Sequence, residues 1–238
     1  MNAIYATLWE DLTATYPQGL TLVRQRVAHW VMTSNQHTDP AINLCVYCGS
    51  GTGRDPAYME AARTLGESMA RAGVGLVYGG GGIGLMGEVA RTVVAGGAPV
   101  TGIIPEFLVQ RERMLEDGGH ELIKVGDMHE RKMMMFERAS GFVALPGGIG
   151  TLEELVEIAT WAQLARHNKP IIIANIKDYW RPLLNLIDHM REEKFIREGL
   201  EVHFEVVDRA EDIVPAFLKR LAMVKPSEAT DKEITEKF

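Results

Sequence analysis

Cysteine, positive charge and long apolar runs are all scarce in this sequence. Two cysteines among 238 residues cannot form the disulfide framework of a small secreted domain, and a chain of this length can bury a core without one. Lys and Arg number 25 against 32 Asp and Glu, which gives a net charge of −7. A nucleic-acid-binding protein normally carries a basic surface that replaces counterions, so we expect no nucleic-acid partner.

No stretch of the sequence approaches the ~20 apolar residues of a membrane span. The first residues, MNAIYATLWEDLTATY, do not lead from a basic segment into an apolar one, as a signal peptide would. We therefore expect a cytoplasmic protein that does not bind membranes. The composition, 46% hydrophobic and 24% charged, is typical of a soluble globular protein.

The two cysteines, Cys45 and Cys48, have the C-x-x-C spacing of some redox pairs, but they lie in the predicted strand INLCVYCGS. Residues three apart on a strand point to opposite faces and are ~10 Å apart. A disulfide needs α-carbons within ~7 Å. The spacing therefore favours two core thiols.

From residue 42 onwards, short β-branched segments alternate with helical ones. This alternation predicts an α/β fold, a Rossmann-like parallel sheet with helices on both faces. Strands are predicted at 42–47, 74–78, 99–104, 121–125, 141–145, 170–174 and 202–207, and helices at 56–72, 83–96, 127–140, 151–166 and 180–193. We predict three regions: a short N-terminal helical extension (1–40), the Rossmann-like domain (41–224) and a polar tail (225–238).

Three of the predicted strands run directly into glycine-rich loops: Gly49–Gly53, Gly79–Gly87 and Pro146–Thr151. In a parallel sheet these loops share the edge at which α/β folds bind ligands. Glycine allows a ligand to approach the backbone, and the helix that follows directs free N–H groups at anions. The pattern favours a ligand that carries phosphate over three plain tight turns.

The segment Gly82–Gly87 matches G-x-G-x-x-G, the motif of dinucleotide-dependent dehydrogenases, and Glu106 lies near the acidic position expected after it. The motif follows the second strand and not the first, however, and three separate loops suit a mononucleotide better. The sequence contains no G-x-x-x-x-G-K-[ST], which argues against a P-loop ATPase.

The sequence PGGIGTLEE at Pro146–Glu154 resembles the P-G-G-x-G-T-x-x-E motif of the LOG ("lonely guy") family. Tyr78–Gly87, Gly126–Lys132 and Thr160–Leu164 extend the resemblance over about residues 42–205. It implies hydrolysis of the N-glycosidic bond of AMP or cytokinin nucleoside 5'-monophosphates to the free base and ribose 5-phosphate. It also implies a homodimer or higher homo-oligomer.

The resemblance places the catalytic arginine at Arg131 and the catalytic glutamate at Glu154, with no cofactor and no metal. Together with the glycine loops, it predicts that a further set of residues binds substrate. These are Ser50, Gly80, Gly81, Gly82, Glu112, Lys132, Gly147, Gly148, Ile149, Gly150, Thr151, Leu152, Glu153 and Thr160.

The chemistry suits these residue types. Cleavage of a ribosyl–base bond passes through a cation-like sugar, which a carboxylate stabilises while it orients a water molecule. An arginine binds phosphate or sugar oxygens in a forked geometry, and pairing with Glu154 would hold that glutamate ionised.

Other interpretations remain open. Thr151 and Glu154 have the spacing of a capping box at the start of helix 151–166, Arg131 could be a solvated helical residue, and Thr160 could belong to the core. A Rossmann-like nucleotide carrier or sensor would bind without turnover. A lysine decarboxylase would need a Schiff-base lysine, which the sequence does not identify.

Met133–Phe136 are four successive apolar residues on the predicted helix 127–140, and one helix face cannot bury them all. The helix is therefore either sunk inside the monomer or packed against a second subunit. We favour the second, and expect aspartate at Met134 or Met135 to weaken assembly.

Overall fold

Seven short apolar segments form one parallel sheet, as the alternation of strands and helices predicts. The computed structural model describes residues 42–109, 120–196 and 199–224. The strand order is β4-β3-β2-β1-β5-β6-β7, and all six pairings are parallel. The strands are β1 Asn43–Tyr47, β2 Gly75–Tyr78, β3 Val100–Pro105, β4 Glu121–Val125, β5 Gly141–Ala144, β6 Ile171–Ala174 and β7 Phe204–Val207. The predicted fold class is confirmed.

Helices connect the strands and cover the sheet. Within the described ranges they are α1 Pro56–Ala72, α2 Gly84–Ala95, α3 Glu106–Val109, α4 Met128–Arg138, α5 Ile149–Gln163, α6 Arg181–Glu192 and α7 Ile213–Met223. Two 3-10 turns, Ile176–Asp178 and Ala210–Asp212, precede α6 and α7. Of the helices that the structure describes, none combines the length and apolar character that crossing a lipid bilayer requires.

The predicted N-terminal extension and polar tail lie outside the described residues, and so does Glu112. The domain limits therefore stay predictions.

The core has two parts, one on each face of the sheet. Leu44 and Val46 of β1 belong to one cluster, whereas Cys45 and Tyr47 belong to the other, as alternation along a strand requires. Cys48 joins the first cluster, and both cysteines are buried free thiols. The prediction of two core thiols on opposite faces is confirmed.

The order in which successive strands are added to the sheet reverses at β1. Strands β2 to β4 extend to one side of it, and strands β5 to β7 extend to the other. Ligands of open α/β sheets bind at such a switch point, beyond the carboxyl ends of the strands. The loops after β1 and β5 therefore flank the position at which a ligand is expected.

Helix α4 buries one face and exposes another. Arg131, Met135 and Ala139 are spaced four apart and are all buried, whereas Met133 keeps 46% of its surface exposed. The helix is therefore not buried on all sides within the monomer. Met135 is a core residue, 1% exposed, so aspartate there would disrupt folding, and our expectation that it would report on assembly is wrong.

Candidate active site

The loop after β1 is tied to the two other glycine loops by backbone hydrogen bonds. The Gly49 N–H donates to the Pro146 carbonyl at 3.1 Å, which joins the β1 and β5 loops. The N–H groups of Leu85 and Met86 donate to the carbonyls of Gly51 and Gly49, each at 3.3 Å. The three loops lie at one edge of the sheet, as predicted, but the first turn of α2 already binds protein carbonyls.

The glycines of the β2 loop chiefly allow close packing. Gly84 has φ +59°, and a Cβ there would lie 2.3 Å from the Ser50 carbonyl oxygen. Gly80, Gly81 and Gly82 are buried, and the Gly82 carbonyl accepts a hydrogen bond from Arg91 at 2.9 Å. Within this chain, these three predicted substrate-binding residues face protein atoms. Ser50 is exposed.

Of the three glycine loops, the one after β5 is the most exposed to solvent at its helix start. Helix α5 begins at Ile149, after Gly148 as N-cap, and no side chain caps it. Gly148, Ile149 and Gly150 are exposed, and a Cβ at either glycine would meet nothing within 4 Å. A helix start with free N–H groups, no acidic residue in its first turn and open space around it is suited to bind an anion.

The alternative interpretation of Thr151 and Glu154 as a capping box is excluded. Because α5 begins two residues before the expected position, Thr151 is the third helical residue and Gly148 is the N-cap. Thr151 is buried, and its Oγ1 lies 2.1 Å from where a Cβ on Gly147 would be. Glu154 consequently has no part in capping, and Gly147 is needed to admit the Thr151 side chain.

Arg131 and Glu154 approach each other from α4 and α5. The guanidinium Nη2 lies 4.0 Å from the carboxylate Oε1, and the two side chains are 10% and 12% exposed. Arg131 Nη2 also donates to the Gly79 carbonyl at 3.3 Å, while Arg131 Nε is buried without a hydrogen-bond partner. The alternative of a solvated Arg131 is excluded, because the side chain is buried beside a carboxylate and a backbone carbonyl.

The start of α4 holds Arg131 in place. Asp127 is the N-cap and accepts a hydrogen bond from the Glu130 N–H at 2.9 Å, and Glu130 accepts one from the Gly126 N–H at 2.7 Å. These two bonds fix the start of the helix at Met128, three residues before the arginine.

Burial changes the protonation of Glu154. Loss of solvent raises its pKa from 4.5 to about 7, and the nearby guanidinium of Arg131 lowers it by a smaller amount. The expectation that Arg131 keeps the glutamate fully ionised is therefore too strong. The carboxyl group changes charge near neutral pH, which suits a group that exchanges protons in a reaction.

Lys132 and Glu153, two predicted substrate-binding residues, contact each other. The Lys132 ammonium donates to Glu153 at 2.7 Å and to Glu157 at 2.9 Å, so it joins α4 to α5. Desolvation lowers the pKa of Lys132, but the two carboxylates more than offset it and the net shift is upward. In this arrangement Lys132 holds the two helices that carry Arg131 and Glu154.

The other predicted residues lie at varied positions. Leu152 is partly buried against the core. Thr160 is exposed, and its hydroxyl donates to the Val156 carbonyl at 2.8 Å, so it is not a core residue. Within residues 42–109, 120–196 and 199–224, no group of three His, Cys, Asp or Glu side chains could hold a metal ion.

Two residues that contact these loops were not predicted. A Cβ on Gly79 would lie 2.1 Å from Arg131 Nη2, so any larger residue at this position would displace the guanidinium. The sequence signal that could have identified Gly79 is its position as the first glycine after β2. Tyr179, from the segment after β6, donates its hydroxyl to the Gly147 carbonyl. Nothing in the sequence pattern connects it with that loop.

Comparison with known proteins identifies the family of this chain. The family model described as "Possible lysine decarboxylase" matches residues 86–217. The cytokinin riboside 5'-monophosphate phosphoribohydrolase LOG of Oryza sativa subsp. japonica is 45% identical over 181 residues, 73% of this chain and 74% of that protein. LOG1 of Arabidopsis thaliana, with the same named activity, is 44% identical over 184 residues, 74% of this chain and 85% of that protein.

The fold also has solved counterparts. A Moco carrier protein from Chlamydomonas reinhardtii aligns with a TM-score of 0.57 over 77% of this chain and 99% of its own, at 19% identity. That likeness establishes the architecture alone. The family match and the two relatives, each identical at more than four residues in ten across most of both chains, show that this chain belongs to the LOG family of the "Possible lysine decarboxylase" group.

Proposed function

We propose that this chain hydrolyses the N-glycosidic bond of purine nucleoside 5'-monophosphates, releasing the free base and ribose 5-phosphate. The observation that carries the proposal is the buried Arg131–Glu154 pair beside the open start of α5. The names of the relatives support the same reaction, because both are phosphoribohydrolases of cytokinin riboside 5'-monophosphates.

Helix α5 supplies both ends of the site. Its exposed start, at Gly148–Gly150, binds the 5'-phosphate through backbone N–H groups. Glu154 is six residues beyond Gly148, about 9 Å along the helix axis, and helical side chains lean towards the N-terminus. One rigid element therefore fixes the phosphate and the carboxylate relative to each other.

The reaction needs a charge and a proton acceptor at one place. As the bond between C1' and the base nitrogen breaks, the electron pair leaves with the base and the sugar becomes cation-like. Ionised Glu154 stabilises that charge and accepts a proton from the water that adds to C1'. The leaving base takes up one proton and Glu154 then releases one, so the net reaction consumes one water and leaves Glu154 ionised. Arg131 binds oxygens of the substrate through its guanidinium and keeps part of Glu154 ionised.

A carrier or sensor would need the phosphate-binding loop but not a buried carboxylate. Burying Glu154 costs free energy, since its raised pKa shows that the folded protein disfavours its charge. A catalytic role explains why an ionisable group occupies that position. We also propose that the reaction takes place in the cytoplasm.

The phosphate is expected to dominate substrate selection. Two charge-assisted hydrogen bonds from the α5 start contribute about 3 kcal/mol or more, so kcat/KM for AMP should exceed that for adenosine at least ~100-fold. Chromatography of the released adenine over a range of concentrations gives both values. Equal rates on AMP and adenosine would exclude a phosphate site at α5.

We further propose that two or more copies of the chain associate through α4 and α5. Met133 and Val156 are 46% and 48% exposed, and each is adjacent in sequence to a residue of the Lys132–Glu157 ion pair that joins these helices. Exposing large apolar side chains is unfavourable, and a second subunit would cover them.

Met133→Asp is expected to weaken this association. The side chain is partly exposed, so the monomer should keep its melting temperature, while light scattering at micromolar concentration should show a shift from a multiple of 26.4 kDa towards 26.4 kDa. Met223→Asp, at a methionine on α7 that is 63% exposed, is the matched control and should leave the mass unchanged. A wild-type protein that is fully active at 26.4 kDa would contradict the proposal.

A further inference from the structure

We propose that Tyr179 is a positioning residue that orients the phosphate-binding N–H groups at the start of α5. The inference rests on the proposed function, because it concerns the same phosphate site. Its basis is the hydrogen bond from the Tyr179 hydroxyl to the Gly147 carbonyl oxygen, made across 32 residues of sequence.

This hydrogen bond acts on one peptide group. The Gly147 carbonyl and the Gly148 N–H belong to the same planar trans peptide, so they point in opposite directions. Fixing the carbonyl towards Tyr179 therefore fixes the Gly148 N–H away from it. Gly148 is the N-cap of α5 and is exposed, so its N–H stands at the open end of the helix.

The Gly147–Gly148 peptide needs an external partner. Glycine on both sides leaves the two flanking torsions without side-chain restraint, and a peptide flip would reverse the N–H direction at little steric cost. Gly148 lacks a side-chain cap, and a Cβ there would meet nothing within 4 Å. The Tyr179 hydroxyl supplies a restraint that the loop itself does not provide.

The segment before Tyr179 is strained, and it is held in place. Lys177 and Asp178 are successive non-glycine residues in the left-handed region, at φ 55° and 58°. Such conformations are unfavourable for side chains with a Cβ, and they persist where surrounding contacts enforce them. The strain lies immediately before the residue that reaches the active-site loop.

Buried Asn175 provides those contacts. Its Nδ2 donates to Asp178 Oδ1 at 3.0 Å and to Asp208 Oδ1 at 3.1 Å, while its Oδ1 accepts from the Trp180 N–H at 3.0 Å. The amide therefore binds the residues on either side of Tyr179. This network fixes the backbone from which the tyrosine extends towards Gly147.

Two aromatic rings fix the side chain itself. The Tyr179 ring meets the Tyr58 ring of α1 edge-on, with centroids 5.6 Å apart, and the Trp180 ring at 5.1 Å. These contacts involve the ring and not the hydroxyl. Phenylalanine at position 179 therefore keeps the ring packing and removes only the hydrogen bond to Gly147.

Tyr179→Phe tests the inference by direct binding. Loss of one neutral hydrogen bond that orders the phosphate-binding peptide should raise the Kd of ribose 5-phosphate, measured by calorimetry, about 3- to 10-fold. KM for AMP should rise by a similar factor with kcat changed less than twofold, and the preference for AMP over adenosine should fall. Tyr58→Phe removes a hydroxyl from the neighbouring ring and should change none of these values.

The outcomes separate this inference from the proposed function. Wild type that cleaves AMP, with Tyr179→Phe binding ribose 5-phosphate as tightly as wild type does, overturns the role of Tyr179 alone. Equal losses for AMP and adenosine also overturn it, because a merely structural change would affect both substrates. Wild type that binds ribose 5-phosphate without cleaving AMP overturns the proposed function, and the binding comparison still decides the role of Tyr179. Wild type that binds no ribose 5-phosphate overturns both.

Discussion

Glutamine in place of Glu154 is expected to lower kcat for AMP about 10³-fold. The amide has the size of the carboxyl group but cannot carry the negative charge that stabilises a cation-like sugar, and the loss of one such electrostatic partner typically costs 10²–10³ in rate. It also cannot accept a proton from water. Initial rates of adenine release, measured by chromatography above pH 7, give the comparison.

Glu157→Gln is the matched control. It makes the same chemical change one turn further along α5, at a carboxylate that contacts Lys132 at 2.9 Å. Its kcat should stay within about threefold of wild type. If both variants lose activity equally, the loss follows from removing any negative charge from α5, and Glu154 has no special role.

The stability of the Glu154→Gln variant should depend on pH in a defined direction. Because folding raises the Glu154 pKa from 4.5 to about 7, the folded state binds more protons than the unfolded state between these values. The wild-type protein therefore loses stability, roughly 2–3 kcal/mol, as the pH rises through this window. Relative to wild type, the variant should gain stability across the same range in urea unfolding. A variant that unfolds more readily at pH 8 than wild type would contradict the burial of an unfavourable charge.

Methionine in place of Arg131 is expected to lower kcat/KM for AMP about 100-fold and to change its pH dependence. The variant loses the hydrogen bonds that the guanidinium makes to substrate oxygens. It also loses the positive charge that lowers the Glu154 pKa. Activity that requires ionised Glu154 rises as the pH approaches about 7 in the wild type, and the variant should need a higher pH for the same fractional activity.

Arg138→Met provides the control on the same helix. Arg138 is exposed and pairs with Glu121 at 3.3 Å, at the opposite end of α4 from Arg131. Its pH–rate profile should superimpose on that of wild type. An Arg131→Met profile with an unshifted acidic limb would show that the guanidinium does not act on the charge of Glu154.

The sequence predicted the sheet well because its signals are local. Each strand is a short apolar segment bounded by a turn, and the predicted strands agree with those observed to within two residues at their ends. The pairing of Arg131 with Glu154 was predicted through the family resemblance. Their separation by 23 residues follows no periodic pattern, and only the crossing of α4 and α5 brings them together.

The glycine loops show where sequence reasoning was insufficient. Gly80 and Gly148 look equivalent in the sequence, yet one is buried and the other faces open space. The difference arises because Gly80 packs against Ile103 and Ile104 of β3 and Leu122 of β4, a contact between distant segments. Tyr179 was missed for the same reason, since its partner Gly147 lies 32 residues away.

Product analysis with AMP tests the proposed hydrolysis most directly. Pure wild-type protein and Glu154→Gln, prepared identically, are incubated with AMP, and adenine and ribose 5-phosphate are quantified by chromatography and mass spectrometry. We expect wild type to release both products in equal molar amounts, and the variant to release them at about a thousandth of the wild-type rate. Release of adenosine and phosphate, unchanged AMP with wild type, or equal rates for the two proteins would contradict it.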